Sequence, residues 1–376
     1  MKFILIPDSF KGTLSSRQIC GILDEKVKKY FPGSETISVP VADGGEGSVD
    51  AFITAVGGEK KTVIVKNPYF EDMESCFGLI DNGETAVIEM ASCAGLPLVE
   101  DRKDPSLTTT YGVGQLILAA AGTGVKKIIV GLGGSSTNDG GCGAAAAVGV
   151  KFYNEAGEEF IPTGGTTKNI AQIDLSGKNP ALNGIEIVTM CDIDNPMYGP
   201  TGASHIFGPQ KGAGPDMVLA LDVGIKNLAG VIAKTTGNDI SKTPGTGAAG
   251  AMGAGMIAFF GSRLQMGIQT VLDTVRFDQM IEDADYIFTG EGKLDSQSLR
   301  GKVVIGIAER AKKQKKRVIA IVGGADDSEI EKAYEMGVTA VFPINRLPQD
   351  FSVSRYHSEE NLAYTADNIL RLLAVK

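Results

Sequence analysis

Ile129-Val130-Gly131-Leu132-Gly133-Gly134-Ser135-Ser136-Thr137-Asn138-Asp139-Gly140-Gly141 is the stretch whose reading decides the fold. The apolar run Ile128 to Val130 reads as a buried strand, and the Ala-rich segment Gly143 to Val148 after it as a helix. A strand, a glycine-rich turn and a helix start form one α/β step. They set free N–H groups at the positive end of a helix dipole, where an anion can sit. Glycine also lets the backbone come close to a ligand. Ser135, Ser136 and Asn138 add donors. Asp139 would disfavour a bare phosphate and suits a metal ion or a substrate hydroxyl. The alternative is a sharp strand-to-helix corner that binds nothing.

The familiar phosphate motifs fail here. The dinucleotide fingerprint G-x-G-x-x-G needs a glycine where Gly131-Leu132-Gly133-Gly134-Ser135-Ser136 places Ser136. A Walker loop needs Gly-Lys followed by Ser or Thr. Gly177-Lys178, Gly292-Lys293 and Gly301-Lys302 are followed instead by Asn179, Leu294 and Val303. The protein-kinase signature set is absent as well. A phosphate site in this chain belongs to another class.

The totals narrow the function. The 376 residues carry 36 basic and 45 acidic side chains, a net charge of −9, which argues against a general nucleic-acid surface. A local cationic pocket for anions remains open. Hydrophobic content of 43% and charged content of 22% are those of a soluble globular protein, and the length suffices for two domains. The five cysteines (Cys20, Cys76, Cys93, Cys142, Cys191) are odd in number and never spaced C-x-x-C. The expectation is reduced thiols in a cytoplasm, with neither a disulfide framework nor a zinc cluster. With only His205 and His357, a multi-histidine metal site is excluded, and His205 reads as structural. The apolar start Met1–Ile6 is interrupted by Pro7-Asp8 and is too brief for a signal peptide. The Gly- and Ala-rich stretch 248–260 is too short to span a membrane and reads as a packed helix.

Outward from the central loop, several strand ends carry acids. Phe3 to Ile6 reads as a buried strand running into Pro7-Asp8-Ser9-Phe10-Lys11-Gly12-Thr13, followed by a helix from Ser15 to Lys29. Asp8 and Lys11 then lie at the carboxyl end of a strand, where open α/β sheets bind ligands. A solvated lysine and a turn-capping aspartate are the alternative. Thr36 to Val41 is a second strand, ending in Ala42-Asp43-Gly44-Gly45-Glu46-Gly47. Asp43 and Glu46 either ligate Mg²⁺ or complement a helix dipole.

Lys61 to Val65 alternates, and Cys76–Ile80 with Thr85–Met90 reads as a hairpin around Asp81-Asn82-Gly83. The strand–helix alternation breaks there, so a second subdomain is expected to start near residue 60. Tyr111 to Ala121 is a helix, and 152–174 reads as loop-rich. Ile185 to Met190 is a strand ending in Cys191-Asp192-Ile193-Asp194-Asn195-Pro196, which sets Asp192 and Asp194 on one face. Two such acids repel unless a cation or proton lies between them, or else they are turn aspartates. Pro244 to Gly253 is a second glycine-rich stretch, for phosphate or for close helix packing. Tyr286 to Thr289 is a strand ending in Gly290-Glu291-Gly292-Lys293-Leu294-Asp295, with Lys302 beyond it. Arg317–Val322 and Val338–Pro343 complete the alternation before a terminal amphipathic helix from Asn361 to Leu373.

Five of these loops together resemble those of a known family. They are Pro7–Gly12, Ala42–Gly47, Gly131–Gly141, Cys191–Pro196 and Gly290–Asp295, in order across essentially the whole chain. The resemblance is to bacterial glycerate kinases of the glyoxylate and glucarate pathways. It implies phosphorylation of D-glycerate by ATP with Mg²⁺, the 2-phospho product being favoured over the 3-phospho product. It also implies two α/β domains with a cleft between them. One is a Rossmann- or flavodoxin-like, mainly parallel sheet that is discontinuous in sequence. The other is a mixed α/β insertion. The expected division is 1–60, 106–145 and 280–376 against 61–105 and 146–279.

Within that resemblance each loop takes a candidate role. Asp192 is the first choice of base, with Asp194 or Asp295 second. Lys11, Lys293 and Lys302 are cations for the glycerate carboxylate or the transferring group. Mg²⁺ takes one or two of Asp43, Glu46 and Glu291. Asp8 and Ser9, with Gly133, Gly134, Ser135, Ser136, Asn138 and Asp139, hold nucleotide phosphates or glycerate. The expected partner is a small molecule, with no nucleic acid or membrane, and the expected state a monomer or homodimer. Two other classes compete. A regulatory α/β protein would have lost the acids, all of which are present; a nicotinamide-linked dehydrogenase needs the fingerprint that fails.

Overall fold

The computed structural model describes residues 1–41 and 44–375, so the expected metal ligand Asp43 lies outside the described residues. The chain divides into two compact units. One comprises Met1–Ala42, Thr54–Val56 and Met266–Lys376, the other Asp43–Ile53 and Gly57–Gln265. The strands are numbered along the chain. They begin with β1 (Lys2–Leu5), β2 (Glu35–Ser38), β3 (Glu59–Lys66), β4 (Asp72–Ile80) and β5 (Thr85–Glu89). Next come β6 (Lys127–Gly131), β7 (Lys151–Tyr153), β8 (Glu159–Phe160), β9 (Gln172–Asp174) and β10 (Glu186–Met190). The last are β11 (Arg263–Gln265), β12 (Tyr286–Thr289), β13 (Val318–Val322) and β14 (Ala340–Pro343).

The first unit is a parallel sheet in the order β14-β13-β12-β1-β2. Counted within the unit, this is the 2-1-3-4-5 order of flavodoxin-like sheets, and the order reverses between β1 and β12. The apolar runs read from sequence are buried: every residue of β13 is, and Phe3 to Leu5 of β1. The helix Ser16–Tyr30 starts at Ser15, whose hydroxyl caps Gln18 N–H while the Gln18 side chain returns to Ser15 N–H. Its Ile19, Leu23 and Val27 share a core with Phe3, Phe288, Leu362 and Leu370, the last two from the terminal helix Ser358–Leu373.

The second unit holds a six-stranded sheet, β11-β10-β6-β5-β4-β3. β5, β6, β10 and β11 are parallel, and β3 and β4 fold back antiparallel. The turn between β4 and β5 passes through Asn82 at φ 54°, a conformation asparagine tolerates. The helices Tyr111–Ala121 and Ala248–Phe260 occupy the stretches expected of them.

Two expectations need correction, and one helix adds to them. Residues 106–145 fall in the second unit, because β6 hydrogen-bonds between β5 and β10; so do 43–53 and 57–60, and the first unit resumes at Met266 rather than at 280. The stretch read as loop, 152–174, contributes to a small antiparallel sheet, β8-β7-β9. Strands of two or three residues are too short to show alternation. The helix Pro215–Thr236 went unread, although Pro215 in its first turn and left-handed Gly237 after its last residue are start and stop signals.

Candidate active site

In a doubly wound sheet, ligands bind at the carboxyl ends of the strands that flank the order reversal. In the first unit those ends are the segments after β1 and β12. The Asp8 N–H donates to the Gly290 carbonyl at 2.8 Å, which fixes the two segments side by side. Asp8 Oδ1 accepts the Ser9 N–H at 2.6 Å. Glu291 is only 7% exposed, and its Oε1 has no hydrogen-bond partner. Burial pushes its carboxyl up to about 7; the Ser298 hydroxyl opposes this and the charge of Asp8 adds to it. A buried carboxylate with an orphaned oxygen, facing the charge of a second carboxylate, is an oxygen donor set that a hard cation satisfies.

The three candidate lysines belong to this unit, and the charge of Lys302 acts on Glu291. Lys11 is exposed, Lys293 pairs with Asp326 at 3.0 Å, and Lys302 donates to Gln297 Oε1 at 3.0 Å. The Asp295 carboxylate accepts the Gln297 N–H at 2.9 Å and the Ser298 N–H at 3.4 Å, so it shapes its own turn. Among the described residues no three acid, His or Cys side chains form a metal cluster. A Mg²⁺ ion bound by one or two carboxylates and by phosphate oxygens does not require one.

In the second unit the central loop departs from its sequence reading. A Cβ on Gly131 would lie 2.2 Å from the Gly44 carbonyl oxygen, and one on Gly133 2.5 Å from Gly45 Cα. On the side where a Cβ would stand, these glycines make room for a neighbouring backbone segment. The helix Cys142–Ala147 has no open N-terminus either. Asp139, fully buried, accepts the N–H of Gly141 and of Gly143 at 3.1 Å, and both the N–H and hydroxyl of Thr110 at 2.8 Å. The anion expected at the helix dipole is thus the protein's own carboxylate, shared with the start of the helix Tyr111–Ala121. Burial raises its pKa although four donors favour its charged form.

Ser136 and Asn138 also turn inward. The Ser136 hydroxyl donates to the Ala94 carbonyl at 2.9 Å and the Asn138 amide to Ser204 Oγ at 3.1 Å. Of the expected ligand contacts in this loop, Gly133 and Gly134 reach the surface, with Ser135 at its margin.

Beneath that margin lies Lys211, which the sequence reading passed over. It is 1% exposed, and its Nζ donates to Ser135 Oγ at 2.8 Å and to the Thr137 carbonyl at 2.6 Å. Burial lowers its pKa to about 7, against the opposing pull of Asp139. Thr137 Oγ1 and Asn138 Oδ1, also buried, have no partners. Its setting in sequence, between Gly208-Pro209 and Gly212, reads as an ordered loop and carries no signal of a buried charge.

After β10, Asp192 is partly buried and Asp194 exposed. The second glycine-rich stretch packs against this segment: the Cys191 thiol donates to the Gly245 carbonyl at 3.7 Å and Gly247 N–H to the Asn195 carbonyl at 2.9 Å. Its other side meets the central loop, where Gly140 N–H donates to the Gly250 carbonyl at 3.0 Å. A Cβ on Gly250 would lie 2.1 Å from the Thr137 carbonyl oxygen. Ala249 and Ala251 take left-handed φ values of 54° and 65° to make this fit. Of its two readings, close packing is the one the geometry bears out. Glu46 is an exposed turn residue, and the acid that serves the helix Ser48–Val56 is Glu89, which accepts Gly47 N–H at 3.1 Å and Val49 N–H at 2.5 Å.

Two α/β units with acids and lysines at their strand ends are a frame on which enzymes of small molecules are built. A family model described as the glycerate kinase family matches residues 3–374. A "Glycerate kinase" of Bacillus cereus is 42% identical over 370 residues, 98% of this chain and 97% of that one. A "Glycerate 2-kinase" of Escherichia coli is 40% identical over 376 residues, 100% of this chain and 98% of that one. A crystal structure, described as that of a candidate glycerate kinase 2 from Salmonella typhimurium LT2, superimposes with a TM-score of 0.86 at 37% identity. It covers 99% of this chain and 98% of its own. The chain belongs to the glycerate kinase family, and it is a kinase. Among the described residues no helix is long and apolar enough to cross a membrane.

Proposed function

We propose that the chain transfers the γ-phosphoryl group of ATP to the 2-hydroxyl of D-glycerate, giving ADP and 2-phosphoglycerate. The observation that carries this reading is the full-length likeness to the Escherichia coli glycerate 2-kinase. Phosphoryl transfer asks for positioning and charge neutralisation more than for covalent chemistry. Mg²⁺ held by Glu291 and Asp8 would neutralise phosphate oxygens, and the orphaned Glu291 Oε1 supports that assignment.

Asp192 is the proposed base. It takes the proton as the glycerate hydroxyl oxygen bonds to phosphorus and the bond from phosphorus to the ADP oxygen breaks. Asp295, already accepting two backbone N–H groups, is the weaker candidate, and Asp194 is exposed. Lys11 and Lys302 provide positive charge beside Asp8 and Glu291, and the Gly133–Ser135 margin of the central loop receives an anionic group. The five free cysteines support the expected reducing compartment.

Phosphorus NMR of the protein with Mg-ATP and D-glycerate tests the reading. A new phosphomonoester signal appearing with ADP is expected, its proton coupling marking position 2. Intact ATP, with L-glycerate equally inert, would overturn it.

A further inference from the structure

The outer margin of the central loop rests on a charge that the scheme above does not use. Among the described residues Lys211 is the one lysine in the set of largest fully buried side chains, and it touches the loop through Ser135 Oγ and the Thr137 carbonyl. The two bonds have a directional consequence. Ser135 Oγ accepts from the ammonium, so its own hydrogen points away from Lys211, and the next residue, Gly134, is exposed. The Thr137 carbonyl, an acceptor that would repel an anion, is held inward. We propose that Lys211 is a positioning residue for an anionic group bound at Gly133–Ser135, orienting the Ser135 hydroxyl and supplying a buried positive charge behind the loop. This rests on the reading that the loop margin receives an anion.

The surroundings favour that role over a plain structural tie. The acid acting on the ammonium is Asp139, whose carboxylate is already divided among Thr110, Gly141 and Gly143. Lys103, whose backbone packs against Gly212, directs its own charge to Glu100 at 3.0 Å. The buried cation is therefore under-compensated, and the Thr137 hydroxyl of the same loop, able to donate, is unpartnered. An anion at the loop margin supplies the missing charge, so anion binding and lysine protonation strengthen each other reciprocally. Both a nucleotide phosphate and the glycerate carboxylate offer such an anionic oxygen.

The test compares wild type with Lys211→Met, Lys211→Arg and Ser135→Ala by steady-state kinetics from pH 6.5 to 9, with thermal unfolding beside it. Lys211→Met is expected to raise KM for one substrate roughly tenfold or more. A raised KM for ATP identifies a phosphate, and a raised KM for D-glycerate a carboxylate. The wild-type KM for that substrate rises above neutral pH, whereas the Lys211→Met KM stays flat and Lys211→Arg restores part of the affinity. Unchanged KM values in Lys211→Met beside a raised KM in Ser135→Ala would overturn the role of Lys211 alone. Unchanged KM values in both variants would overturn the loop reading with it. Should Lys211→Met not fold, calorimetry of wild type at pH 8 in buffers of different ionisation heat decides. Proton uptake on binding MgATP or D-glycerate supports the proposal, and its absence with both rejects it.

Discussion

The carboxylate of Asp139 accepts both the backbone N–H and the hydroxyl of Thr110, each at 2.8 Å. With Gly141 and Gly143 as its other donors, one buried side chain closes the starts of two helices. Asp139→Ala strands three backbone N–H groups away from water, each costing about 1–3 kcal/mol. The variant is expected to lose ~3 kcal/mol or more in urea unfolding. Native stability together with a raised KM would return Asp139 to the ligands.

Lys211 gives stability a pH dependence at the alkaline end. Burial lowers its pKa from the ordinary 10.5 to about 7. Between those values the unfolded chain holds a proton that the folded chain has released, so this group makes stability rise with pH. The contribution reaches at most ~1.4 kcal/mol per pH unit and vanishes below about pH 7, where both states are protonated. Thermal unfolding of wild type against Lys211→Met across pH 7–10 should show the difference shifting in favour of wild type as pH rises. A constant difference would contradict a buried, titrating ammonium.

The central loop shows where sequence was sufficient and where it was not. The apolar run into Gly131 and the alanines after Gly141 were legible because periodicity and burial are local, and β6 and the following helix lie there. Asp8 and Glu291 were legible as strand-end acids for the same reason. The clients of Asp139 were not: Thr110 is 29 residues away. Nor were the neighbours of the glycines, since Gly131 and Gly133 are small to admit Gly44 and Gly45. A glycine-rich turn reads alike whether a ligand or another backbone approaches it. Lys211 was hidden because nothing in its neighbours along the chain distinguishes a buried ammonium from a solvated one.

Ala249 offers a test of strain. Its φ of 54° costs an L-residue about 1–2 kcal/mol, and glycine avoids most of that cost. Ala249→Gly should therefore unfold at equal or higher temperature despite glycine's greater freedom in the unfolded chain. Gly250→Ala should do the reverse, because its Cβ would meet the Thr137 carbonyl oxygen at 2.1 Å. Equal melting temperatures for the two variants would show that this stretch is not clamped against the central loop.

Glu291→Gln separates a metal ligand from a structural acid. The amide keeps the volume and removes the charge whose burial is unfavourable, so thermal stability without Mg²⁺ should hold or rise. The Mg²⁺ concentration giving half-maximal activity should increase roughly tenfold or more, as expected when a metal site loses a charged oxygen. A fall in stability with an unaltered Mg²⁺ requirement would assign Glu291 to the fold alone.

Asp192→Asn addresses the chemical step. Asparagine preserves the shape after β10 and cannot take a proton, so a base at this position should lose about 10²–10⁴-fold in turnover. The KM for D-glycerate should change less, because binding the hydroxyl asks only for an acceptor, which the amide oxygen still provides. Circular dichroism and the melting temperature should match wild type, since Asp192 is partly exposed and lies outside the core. Asp194→Asn is the internal control: the same substitution two residues along, at an exposed side chain, should leave turnover within a few-fold. Turnover near wild type in Asp192→Asn, with a large loss in Asp194→Asn or Asp295→Asn, would move the base to that residue. Loss in none of the three would mean that transfer proceeds by positioning and charge neutralisation, with the hydroxyl proton leaving through the phosphoryl oxygens.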